Sequence, residues 1–306
     1  MSIATHVQVE RRDERGNVMI NPRTGKPVMG LVINPVKPFV RGFWMPGMTP
    51  LGAASVVLAA NGSAELEFLV DFSGHFEWAY IMGVSTGVYS LKFFDVGRNR
   101  ELQNRPIPSS LIVGSAQRPF RIPEPYFLNV GDSQRVVKCK ILDLTGSQNT
   151  VRLVIYGRRW YHKEADPDVS VAMTQQLGEG DKPYSYFLAP SEADPTTGEG
   201  VVIPANGTQK FTFQSDAHSD TEITKWMGTA AGAATVTEFD NAKQKFLMND
   251  VIDFQNCFGN AEFPFIPDDS LLLERQKYLI ITVKDTSGAP NLVRLAAGGR
   301  RLTFRG

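Results

Sequence analysis

The chain has 306 residues, 42% of them apolar and 21% charged, with 32 cationic and 32 anionic side chains. That composition supports a folded core and excludes a disordered tail. A formal charge of zero argues against nucleic-acid binding as the main task, because such binding rests on a basic surface that neutralises phosphates.

Residues 1–44 carry seven cationic side chains against three anionic ones, a net charge of +4. Pro22, Pro27, Pro35 and Pro38 break regular pairing, so an extended N-terminal arm is expected there. Its opening residues have no apolar core, so no secretion signal is expected, and the longest apolar stretch, Leu51 to Ala60, is too short for a membrane span. Two cysteines, Cys139 and Cys257, allow neither a disulfide framework nor a four-thiol zinc site.

An internal duplication dominates the remainder. Val56-Val57-Leu58-Ala59-Ala60-Asn61-Gly62-Ser63 returns as Val201-Val202-Ile203-Pro204-Ala205-Asn206-Gly207-Thr208. The same spacing relates Met82-Gly83 to Met227-Gly228, Phe94-Asp95 to Phe239-Asp240 and Pro119 to Pro264. After a three-residue deletion, Asp143 maps to Asp285 and Gly157-Arg158-Arg159 to Gly299-Arg300-Arg301. Two copies of one domain follow, at 45–161 and 201–306, and each is large enough to bury a core. Between them, residues 162–200 form an acidic insert of net charge −6.

Within each copy the apolar period is two. Leu66, Phe68 and Val70 alternate with their neighbours, as do Phe211 and Phe213, and later Val137, Cys139 and Ile141. Such alternation marks half-buried antiparallel strands. Asn61-Gly62, Asn206-Gly207 and Thr145-Gly146-Ser147 supply turns, the first two read as hairpins. The fold class is therefore all-β: two duplicated antiparallel β-sandwich or jelly-roll-like domains. A short helix is expected within residues 240–254.

The duplication also weighs candidate chemistry. Cys139 and Cys257 correspond to Ile281 and Ile112, which makes both apolar packing positions. His75 and His218 fall in a variable turn and are expected at the surface. Glu65 and Glu67 share a strand face like a glycosidase pair, but their counterparts Lys210 and Thr212 are not acids. Trp78, Trp160 and Trp226 correspond to Ile223, Leu302 and Ile81, so they are read as core or interface anchors. Gly-Arg-Arg is the one charged motif present in both copies. It either binds carboxylates or aromatics of a neighbour or is a solvated strand end.

Tandem β-sandwich copies, the basic arm, the Asn-Gly-[Ser/Thr] turn, the entry Pro119, Pro123 and Pro125, and the closing Gly-Arg-Arg resemble a bacteriophage virion structural protein. That resemblance implies a tailed-phage head-, neck- or collar-associated component, found in the virion and made in the host cytoplasm. It implies assembly with further copies and other virion proteins, and neither enzyme activity nor a cofactor. Arg11, Arg12, Arg15, Arg158, Arg159, Arg300 and Arg301 are the candidate interface residues. A double-jelly-roll major capsid protein and a carbohydrate- or receptor-binding module stand as alternatives. A β-sandwich hydrolase would need facing carboxylates or a metal.

Overall fold

The computed structural model describes residues 3–10, 29–36, 39–70, 74–128, 136–161, 183–241 and 247–303. It is nearly all β, with every named strand pair antiparallel. Strands β1 (Ile3–Glu10) and β2 (Met29–Val36) pair with each other. The segment expected to run as an extended arm thus contains paired strands in its described parts.

The first unit is two sheets. One has the order β10 (Phe120–Leu128), β6 (Gly74–Ser85), β12 (Asn149–Tyr161), β3 (Phe39–Pro46), with β4 (Val56–Leu58) also on β12. The other has the order β5 (Ser63–Leu69), β11 (Val136–Asp143), β7 (Tyr89–Asp95), β8 (Arg100–Glu101), with β9 (Ile107–Pro108) on β7. The second unit repeats this plan. Its first sheet runs β13 (Tyr184–Leu188), β21 (Asn291–Thr303), β16 (Ser219–Ala230), β19 (Leu271–Leu273), with β14 (Val201–Ile203) on β21. The other runs β15 (Thr208–Gln214), β20 (Tyr278–Asp285), β17 (Ala234–Asn241), β18 (Ile252–Asp253).

Alternation places the apolar sets between the sheets. Phe68, Phe93, Cys139 and Ile141 meet Phe76, Trp78, Ile81 and Leu153 in one core, all essentially solvent-free. Trp78 and Phe93 cross that gap edge-to-face at 4.9 Å between ring centroids. In the second core Trp226 meets Phe239 at 5.1 Å and Phe213 at 5.7 Å. These edge-to-face contacts suit the ring quadrupoles.

Several local expectations change. The Asn-Gly turns are not hairpins: β4 pairs with β12 and β5 with β11, so Asn61-Gly62 carries the chain from one sheet to the other. Asn61 and Asn206 both take the left-handed conformation, with φ of 54° and 58°, which asparagine tolerates better than most residues. His75 lies in β6 and is fully buried, not at the surface, because the strand already begins at Gly74 and its first five residues are all buried. One helical turn stands at Ser109–Ile112 (α1) and another at the corresponding Phe254–Cys257 (α2), the latter overlapping the expected helix only at its end.

The segments flanking the detectable repeat prove equivalent as well. Phe39–Pro46, placed with the arm as far as Trp44, and Tyr184–Leu188, placed in the insert, are the same edge strand of the two units. Trp44 pairs with Tyr156 as Phe187 pairs with Gly298.

Candidate functional site

The Gly-Arg-Arg motifs are built alike. Each glycine lies in its unit's central strand opposite a β-bulge, where β6 carries Ala79 or β16 carries Thr224 as the extra residue. A Cβ on Gly157 would lie 1.8 Å from the Glu77 carbonyl oxygen, and one on Gly299 would lie 2.1 Å from that of Glu222. The bulge therefore requires glycine. The next residue, Arg158 or Arg300, forms an ion pair with Glu77 (3.0 Å) or Glu222 (2.6 Å) on the neighbouring strand. The last, Arg159 or Arg301, lies over an edge-strand aromatic, Phe43 at 4.6 Å or Tyr186 at 4.7 Å. Carboxylate and aromatic are both present, and both belong to the same chain. Arg11, Arg12 and Arg15 lie outside the described residues.

The turns that join the sheets carry a second repeated device. Asp143 accepts hydrogen bonds from the Asn61 and Gly146 N–H groups, the Thr145 hydroxyl and the Asn149 amide. Asp285 does the same with Asn206, Gly288, Ser287 and Asn291. Burial disfavours the Asp143 charge, but the donors led by Thr145 outweigh it and hold the carboxyl at about 2. The Asp285 carboxyl is also held well below the usual range, chiefly by Ser287.

Between the units lies a joint made by β10 and the following face of β13, β21 and β16. Phe120 packs on Phe187, with ring centroids 5.9 Å apart. Lys225 lies over the Phe120 ring at 5.2 Å and donates to the Arg121 carbonyl. Burial, seconded by the Arg121 charge, pulls the Lys225 ammonium down to about 8. Ser185 Oγ accepts from the Glu124 N–H at 2.8 Å, and Arg300 reaches the Glu124 carboxylate at 3.7 Å. At the β13 edge, the Asn104 side-chain amide both donates to and accepts from the Ala189 backbone, at 2.8 Å each way. This described part of the acidic insert therefore seals one unit of the chain against the other.

The corresponding face of the first unit is open. Trp44, Tyr156, Tyr80 and Arg121 form one row across four strands, with Pro46, Val154 and Met82 in the next row. Trp44 and Tyr156 are 4.6 Å apart between centroids, and Tyr80 and Tyr156 are 6.0 Å apart. Trp44 is 62% exposed and Val84, further along, 72%. Sequence reading missed this surface because Trp44 lies in the proline-rich segment outside the detectable repeat. The alternation of Phe43 and Met45 with Trp44 was the available signal.

Other candidates resolve plainly. Trp78 and Trp226 are buried, while the Trp160 side chain lies outside the described residues. Lys138 sits between Glu65 and Glu67, at 2.7 and 3.3 Å, and ties up that carboxylate pair. Burial pushes both cysteine thiols up, away from the reactive thiolate. Among the described residues, no three His, Cys, Asp or Glu side chains are grouped to hold a metal, and no helix is long and apolar enough to cross a membrane.

No protein-family pattern matches the chain, and no curated protein matches its sequence. Among solved structures, the peptide N-glycanase PNGase F is similar over 86% of this chain and 96% of its own, at 9% identity and a TM-score of 0.38. A PNGase F from Flavobacterium meningosepticum, described as a glycosylasparaginase, is similar over 87% and 96%, at 9% identity and a TM-score of 0.36. A protein of Sulfolobus Turreted Icosahedral Virus is similar over 92% of this chain and 66% of its own, at 9% identity and a TM-score of 0.24. These likenesses concern the fold alone. The expectation that the chain is not an enzyme is overturned: an amidase is among the solved structures of similar fold.

Proposed function

We propose that this chain is a structural component of a virus particle, of the head, neck or collar kind in a tailed phage, and that it assembles in many copies through its β-units. A major capsid protein with two jelly rolls is the variant of this reading in which the chain forms the shell itself. The observation that supports it best is the open row Trp44–Tyr156–Tyr80 on a sheet whose counterpart in the same chain is covered. A contiguous apolar face left open on a folded unit marks an interaction site. On this reading Arg11, Arg12 and Arg15 act from the arm, and the host cytoplasm is where the chain is made before it enters the virion. Quantitative mass spectrometry of particles purified from a producing culture should return the chain at a fixed multiple per particle. Its absence from purified particles would sink the reading.

One observation favours a second reading, sugar or receptor binding. Exposed Trp44 beside Tyr156 offers an aromatic surface on which a sugar ring can stack. A glycan-array signal lost in Trp44→Ala would move this reading to first place.

A further inference from the structure

The joint inside the chain defines what fits on the open face. In the second unit, the row Phe187–Gly298–Lys225 is covered by Phe120, Arg121, Pro123 and Glu124 of the first unit. The equivalent row of the first unit is Trp44–Tyr156–Tyr80, with the same pairings across the same strands. The equivalent of the covering segment is equally easy to locate. Phe120 bridges to Ile81 as Phe265 bridges to Trp226, so Phe265, Ile266, Asp268 and Asp269 occupy the places of Phe120, Arg121, Pro123 and Glu124.

In the single chain the edge half of this second joint is exposed, and the face half is led by exposed Trp44 beside half-buried Tyr156 and Tyr80. Phe120 is 1% exposed inside its joint, whereas Phe265 is 44% exposed and Ile266 61%. The change from Arg121 to Ile266 makes the free edge more apolar, opposite a face that is itself more aromatic. Charge agrees too. Arg300 takes Glu124 across the existing joint, and its counterpart Arg158, with a side chain 61% exposed, would meet Asp269, an exposed carboxylate.

We infer that the open sheet face around Trp44 and Tyr156 is the docking site for a second copy of this chain, which presents its Phe265–Asp269 edge there. The inference rests on the multicopy reading above and gives it a geometry. The contact is head-to-tail: each molecule offers a face to one neighbour and an edge to another. Such an interface closes into a ring or runs on as a filament, according to the rotation per joint. The substitution of Tyr156 for Gly298 and of Asp268 for Pro123 makes the two joints equivalent in placement and different in packing.

The test is a mixing experiment on the full chain. Trp44→Asp spoils the face and Ile266→Asp spoils the edge, and both side chains are largely exposed, so the units keep their cores. Sedimentation velocity of the unaltered chain over a concentration series should show assemblies larger than a dimer. Each variant alone should be monomeric, and an equimolar mixture should give a one-to-one heterodimer and nothing larger. Asp269→Lys should weaken self-association about tenfold. A mixture that stays monomeric, or variants that assemble as the unaltered chain does, would overturn the inference. A chain recovered from particles whose assembly ignores both substitutions overturns the joint and leaves the particle reading standing. A mixed dimer from a chain absent from particles does the reverse.

Discussion

The two β-units share strand order, bulge, arginine pair and turn cap, yet treat one sheet face in opposite ways. In the second unit that face holds Phe187, Gly298 and Lys225 and is packed against β10 of the first. In the first it holds Trp44, Tyr156 and Tyr80, larger side chains, of which Trp44 is exposed and the two tyrosines half-buried. What the duplicates keep is what the fold needs, and what they vary is what each surface meets. The shared glycine bulge and its in-chain arginine–carboxylate pair therefore belong to the fold, while an unshared Trp44 argues for contact.

Truncation of tryptophan is the hardest way to break this comparison. Trp78→Ala removes a ring 1% exposed and should cost about 3–5 kcal/mol of stability by chemical denaturation. Trp44→Ala should cost less than about 0.5 kcal/mol in the same assay, because its ring is already in water. Equal losses at the two positions would contradict the placement of Trp44.

The acid limb of stability comes next. Asp143 is held at about 2, against about 4 for a free carboxyl. The unfolded chain then binds more protons between those values, so the contribution is complete above pH 4 and is lost as pH falls to 2. Asp285, also depressed, adds in the same direction. Denaturation midpoints measured at pH 5 and pH 2.5 should differ less in the Asp143→Asn, Asp285→Asn double variant than in the parent.

The alkaline limb reports the joint. Lys225 is lowered to about 8, and an unfolded lysine titrates near 10.4. Across that interval the unfolded state holds the extra proton, so stability rises with pH and is flat below 8 in this respect. Lys225→Met should remove the rise in a melting-temperature series from pH 7.5 to 9.5, whereas Tyr80→Met at the equivalent position should leave it in place.

The smallest effect separates the two arginines. Arg300 serves Glu222 and Glu124, the latter across the joint, whereas Arg158 serves Glu77 with its own side chain mostly in water. Arg300→Ala should therefore cost more than Arg158→Ala, by about 0.5–1 kcal/mol in denaturant titration.

Much of the fold was legible in the sequence, for physical reasons. Strands facing one core must alternate, and Leu66–Phe68–Val70 and Phe211–Phe213 do so. The Asp143 and Asp285 turns keep the same donors, so the duplication survived where backbone groups had to be satisfied. The edge strands β3 and β13 were not legible. An edge strand pairs on one side and takes its side chains from whatever lies beyond, so Trp44 and Phe187 had drifted to suit water and a neighbour. His75 was misplaced because the start of β6 carries no alternation: its first five residues are all buried. The joint depends on which unit meets which, and neither period nor spacing encodes that.

The central strands have a consequence for synthesis. In each unit the strand holding the first sheet together, β12 or β21, is the last of its unit in chain order. As the chain leaves the ribosome, β6 and then β16 can meet their edge partners β10 and β19, but the central strand on their other side lies some 70 residues downstream. One edge of each stays unpaired for that interval, which makes folding slow and the nascent chain prone to wrong pairing. The first unit can close before the second is made, and it then presents β10 as a finished surface against which β13 and β21 can settle.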